Sequence, residues 1–93
     1  MSASVGVAIS WNAGNPVPNP DPVVVKLSDG QKNVQWTSNQ KFAITVLDQT
    51  IDATLKGGVW IADSRDFDAP RKIPYVITTG DGHMHDPTID IQS

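Results

Sequence analysis

The chain has no cysteine and no glutamate. The first absence excludes disulfides, thiolate catalysis and cysteine metal ligands. A chain of 93 residues without such staples must hold together by packing. The second absence leaves all ten acidic residues as aspartate. Aspartate is a poor helix former, and its short carboxylate favours turns and caps. No apolar run approaches the roughly 20 residues a membrane-spanning helix needs. Basic residues number only seven and the net charge is -3. That argues against a phosphate footprint for nucleic acid and against binding to an anionic membrane surface. The stretch Met1 to Val7 has no basic region and no long apolar region, so no secretion signal is read there. If Met1 is the native start, the chain is expected in the cytoplasm.

What is present favours strands. Val, Ile and Thr together number 25, against three Leu. These branched side chains fit a pleated sheet and lose rotamer freedom in a helix. Seven prolines and seven glycines supply turns. The length suits one domain spanning 1–93.

Ser4 to Trp11 alternates with a period of two, Val5, Val7, Ile9 and Trp11 on one face and Gly6, Ala8 and Ser10 on the other. The second face is unusually small, and the expectation is a neighbour from the same chain packed closely on it. Asn12 to Pro22 holds four prolines and reads as an extended crossover between two sheets. Val23 to Leu27 is a second strand. Asn33 to Thr37 follows with Val34 and Trp36 inward, then Lys41 to Leu47 with Phe42, Ile44 and Val46 inward. Asp48 to Lys56 is ambiguous and can accommodate one helical turn before Gly57-Gly58. Val59 to Ala62 is a short strand, with Val59 and Ile61 expected inward and Trp60 outward. Asp63 to Pro70 is a polar loop. Lys72 to Thr79 carries Ile73, Tyr75 and Ile77 inward. Pro74 costs that strand a donor, which predicts an edge or a bulge. Gly80 to Pro87 is a loop, and Thr88 to Gln92 is the last strand, with Ile89 and Ile91 inward. The expected fold is all-β: a Greek-key β-sandwich of about seven strands, cupredoxin-like or immunoglobulin-like.

The first of those labels comes from a resemblance. Val34-Gln35-Trp36-Thr37-Ser38-Asn39 follows a strand and turn, and Tyr75, the Gly80–Pro87 loop and Ile89-Asp90-Ile91 close the chain. This arrangement resembles the cupredoxin family over roughly two-thirds of the chain. Small bacterial β-sandwich proteins of unknown function, with a Tyr strand and a late Asp-Pro-x-Ile strand, are similar too. The resemblance implies a fold and not a blue-copper site. Such a site needs a thiolate and two imidazoles. This chain has no cysteine, and Ser38-Asn39-Gln40 lacks the histidine the family places there.

Few residues could carry chemistry. In Asp81-Gly82-His83-Met84-His85-Asp86, an extended backbone puts His83 and His85 on one face, where they can chelate one divalent metal with Asp81 in support. Two histidines are too few for a closed site without more ligands. Asp63, Asp66 and Asp68 offer oxygen ligands for Ca²⁺, but their spacing is not that of an EF-hand, and Arg65 and Arg71 lie nearby. No Gly-x-Ser-x-Gly, glycine-rich phosphate loop or recognisable carboxylate pair occurs, so no enzymatic activity is expected. No cofactor is expected beyond that metal. An outward Trp60, with Leu47 and Val24, points to a non-catalytic binding or assembly module that contacts a protein partner or a second copy.

Overall fold

The computed structural model describes residues 4–19, 21–80, 82 and 84–93. The metal candidates Asp81 and His83 lie outside the described residues. The strands are β1 (Ser4–Asn12), β2 (Asn15–Asn19), β3 (Val23–Lys26), β4 (Asn33–Ser38), β5 (Phe42–Val46), β6 (Gln49–Asp52), β7 (Thr54–Lys56), β8 (Val59–Asp63), β9 (Arg71–Thr79), β10 (Met84–His85) and β11 (Thr88–Gln92), with one 3-10 turn at Leu27–Asp29. The described residues are therefore all-β. None of their helices is long and apolar enough to cross a membrane.

The strands form two mixed sheets. The first has the order β2-β1-β4-β8-β7 and the second β3-β11-β9-β5-β6, with β10 also paired to β9. Each sheet holds one parallel pair, β1 with β4 and β3 with β11. The alternation read in the sequence decides what meets between the sheets. Val7, Ile9, Val34 and Trp36 come from the first sheet. Val23, Phe42, Ile44, Ile73, Tyr75, Ile77 and Ile89 come from the second. All are buried in one cluster.

Strands outnumber the expected seven because three segments read otherwise also hold strands, the third being the Gly80–Pro87 loop with its two-residue β10. Asn15–Asn19 pairs with β1 despite Pro16 and Pro18, since a terminal strand needs donors on one side only. Asp48 to Lys56 holds no helical turn. β6 and β7 fill it, and Ala53 between them is buried, its N–H donating to the Phe42 carbonyl at 3.1 Å. The chain thereby passes from the second sheet to the first.

Pro74 is neither at a sheet edge nor expelled from the ladder. β9 pairs with β11 on one side and β5 on the other. The Tyr75 N–H donates toward the β11 side, to Pro87 O at 3.0 Å. The nitrogen of Pro74 faces the opposite way, where the β5 pairing has already ended at Val46 opposite Tyr75. No ladder donor is required there.

Among the described residues, nothing packs closely on the small face of β1. Gly6, Ala8 and Ser10 are exposed, and a Cβ placed on Gly6 would meet nothing within 4 Å.

Candidate functional site

The β7–β8 hairpin is closed by Gly57 and Gly58, with φ of 59° and 83°. A two-residue loop with both central residues left-handed matches the right-handed twist of its strands, and glycine adopts it without a Cβ clash. That turn fixes the register. Lys56 lies opposite Val59, Leu55 opposite Trp60, and Thr54 opposite Ile61. On the other side of β8, Ser38 lies opposite Trp60 and Trp36 opposite Ala62.

This register corrects the expectation for Trp60. Opposed residues in a sheet share a face. Trp36 and Ser38 are buried, so Ala62 and Trp60 face inward with them. Val59 and Ile61 face outward instead. Trp60 packs against the core but is only half-buried. The alternation in Val59–Ala62 is too short to distinguish the two phases, and tertiary pairing with β4 decides it.

Trp60 is half-open because the sheet runs out beside it. Its neighbour on β7, Leu55, is 53% exposed. Val59 at the hairpin tip is 39% exposed. Leu55 and Trp60 thus form an apolar margin on the inner face of the terminal hairpin, with Val59 on its outer face. Leu55 was missing from the sequence reading. The signal was present, since a Gly-Gly turn places the residues two before and two after it opposite each other. Leu47 and Val24 lie away from this hairpin, on the β5–β6 turn and on β3.

Behind Trp60, Ser38 organises the inner face. Its hydroxyl oxygen accepts the Trp11 indole N–H at 2.9 Å and the Gln40 backbone N–H at 3.1 Å. Deeper in the core, the Trp36 and Tyr75 rings meet at 5.2 Å between centroids, tilted by 52°. Among the described residues, neither the Trp36 indole nitrogen nor the Tyr75 hydroxyl has a hydrogen-bond partner. Burial pushes the Tyr75 phenol up to about 12. The nearby Trp36 indole opposes that rise, and the Asp21 charge adds to it.

The candidate metal ligands fare differently. His85 is on β10, with Nε2 3.5 Å from an Asp21 carboxylate oxygen. Among the described residues, no three of His, Cys, Asp or Glu come together as a metal group. Asp63, Asp66 and Asp68 are not brought together as such a group. Asp63 accepts a hydrogen bond from the Gln35 side-chain amide at 3.0 Å, while Asp66 and Asp68 are exposed. The loop that carries them is anchored by Ser64, whose hydroxyl accepts the Val34 N–H at 2.9 Å, and by the Phe67 N–H, which donates to Lys32 O at 2.7 Å.

Comparison with protein-family models, with curated proteins and with solved structures found no match to this chain.

Proposed function

We propose that this chain is a non-catalytic binding or assembly module whose contact surface is the β7–β8 hairpin, centred on Trp60 and Leu55. One observation carries the reading. Leu55, 53% exposed, stands directly across from a half-buried tryptophan on a terminal strand. Water-exposed apolar side chains grouped at one place favour burial against a partner. An anilinonaphthalene dye tests this. Bound dye should brighten with the wild type and lose that signal with Leu55→Lys at an unchanged unfolding midpoint. Dye binding that Leu55→Lys leaves intact would place the apolar surface elsewhere.

The finer description of the fold belongs to the same proposal. It is a Greek-key β-sandwich, cupredoxin-like or immunoglobulin-like, and the parallel pairs β1–β4 and β3–β11 weigh against the second label alone. Immunoglobulin sheets are antiparallel.

A second reading is divalent metal binding by the loop of His83 and His85. Its support is the Asp21 carboxylate 3.5 Å from His85, within reach of a shared ion. Titration with zinc or copper, read by calorimetry against His85→Ala, decides it. Equal heats for the two proteins exclude the site.

A further inference from the structure

Arg65, Asp66, Asp68 and Arg71 lie away from the β7–β8 hairpin, in the segment that leads into β9. Two cations and two anions within seven residues could neutralise each other directly. Among the described residues, none of these four side chains makes an ion pair or a hydrogen bond. All four instead line one cavity of about 220 Å³.

Anchored backbone carries these charges. Ser64 is buried, and its hydroxyl accepts the Val34 N–H and donates to the Arg65 carbonyl, both at 2.9 Å. Three residues on, the Phe67 N–H is bonded to the Lys32 carbonyl. Arg65 and Asp66 therefore lie between two points fixed to the β4 side of the molecule. Arg71 opens β9 in the other sheet, opposite Ile91. A site whose groups are held from both sides is ordered before its ligand arrives.

The apolar part of the lining is Phe67 and Ile73, both buried, together with Leu47. Leu47 and Asp48 are the two central residues of the β5–β6 turn, with φ of 51° and 62°. Glycine adopts that conformation freely, whereas leucine is strained in it. Strain of this kind gathers at ligand sites. A second cavity, of about 340 Å³, shares Leu47, Arg71 and Ile73 with the first and adds Asp48. In each cavity the two signs of charge are equal in number.

That balance selects among ligands. A simple anion would meet two carboxylates along with the two guanidiniums. A bare metal ion finds no converging carboxylates among the described residues. A ligand that carries both signs satisfies both. We infer that the cavity between the loop of residues 64–70 and β9 binds a free α-amino acid with an apolar side chain. Its carboxylate accepts from Arg65 and Arg71, whose planar forks suit two oxygens. Its ammonium donates to Asp66 and Asp68. Its side chain leaves water against Leu47, Phe67 and Ile73. A volume of about 220 Å³ lies below the roughly 300 Å³ at which sites for drug-sized ligands begin, which suits a single amino acid. The inference stands apart from the hairpin surface and does not depend on it.

The probe is L-leucine, followed through the amide shifts of the isotope-labelled protein. Leucine should shift residues 65–68 and 71–73 saturably. Three analogues each remove one contact: isocaproate lacks the ammonium, isoamylamine lacks the carboxylate, and glycine lacks the apolar side chain. Each should bind at least roughly tenfold more weakly than leucine. Arg71→Gln should weaken leucine by a similar factor and leave isoamylamine unchanged. Asp66→Asn/Asp68→Asn should weaken leucine but not isocaproate. All these positions are exposed, so an unchanged unfolding midpoint controls for folding. The absence of a saturable shift, or shifts away from these residues, overturns the inference. Isocaproate binding as tightly as leucine would make this an anion site, and isoamylamine doing so would make it a cation site; either result overturns it as well.

Discussion

Trp36 and Trp60 lie on the same face of the same sheet, on adjacent strands, yet they do different work. Trp36 is opposite Ala62 and meets Tyr75 from the facing sheet. It is 0% exposed. Trp60 is opposite Ser38 on one side and Leu55 on the other, where the sheet ends. The difference lies in what stands around the ring and not in the residue type. A tryptophan surrounded by both sheets is structural. A tryptophan at an unfinished margin holds apolar surface that is only half satisfied. The same contrast separates the two edges of this sheet, since β2 is blunted by proline and β7 is open.

The comparison breaks first at Trp36. Trp36→Ala should cost about 3–5 kcal/mol, because it empties the largest buried side chain from the centre of the core. Denaturant unfolding measures this. A loss under about 1 kcal/mol would mean that the site collapses freely or that Trp36 is not central.

The next effect concerns its partner. Tyr75 is the only tyrosine, so phenolate absorbance reports it alone. The folded phenol keeps its proton to about 12, whereas the ordinary value is 10.0. Between those values the unfolded chain binds fewer protons than the folded one. Stability from this group is therefore complete below pH 10 and falls as pH rises toward 12, by roughly 2–3 kcal/mol at about 1.36 kcal/mol per unit. Phenolate appearing near pH 10, well before unfolding, would show that the ring is hydrated.

Much of the fold could be read from residue order, for a physical reason. Longer alternating segments such as Phe42–Val46 and Ile73–Ile77 have one phase that buries the bulkiest apolar side chains, Phe42, Ile44 and Val46 in one and Ile73, Tyr75 and Ile77 in the other, and the sequence pattern points to that phase. Short segments have no such redundancy. In Val59-Trp60-Ile61-Ala62 both phases bury something apolar, and pairing with Ser38 and Trp36 decides between them. Proline also misled twice. Pro16, Pro18 and Pro74 disfavour strands only where a donor is needed, and the need depends on neighbours distant in sequence. The candidate contact surface was legible in Trp60 alone. Leu55 becomes part of it through cross-strand pairing.

A smaller effect sharpens the contrast between the two tryptophans. Trp60→Ser should cost roughly 1–2 kcal/mol in the isolated domain, since a half-buried ring gives up less apolar area than a buried one. The same change should abolish any association through the hairpin. Unfolding midpoints at low protein concentration measure the first effect, and sedimentation measures the second. A cost equal to that of Trp36→Ala would make Trp60 a core residue like Trp36 and remove the reason to regard the hairpin as a surface.

The smallest effect is expected at the polar atom the core leaves unpaired. Among the described residues the Tyr75 hydroxyl is buried without a hydrogen-bond partner, as is the indole nitrogen of Trp36, whose ring it meets. An unpaired buried hydroxyl loses its bonds to water on folding and gains none in return. Removing it therefore removes a penalty. The ring contact with Trp36 survives in phenylalanine, so aromatic packing is kept. Tyr75→Phe should leave stability unchanged or raise it by up to about 1 kcal/mol near neutral pH, and it should erase the loss between pH 10 and 12. Paired unfolding curves at neutral and alkaline pH measure both effects. If Tyr75→Phe instead destabilises by more than about 1 kcal/mol, the hydroxyl makes a bond in solution, with the Trp36 indole as the nearest donor. The centre of the core would then be polar and specified, and its contrast with the apolar margin at Trp60 would be one of chemistry as well as of burial.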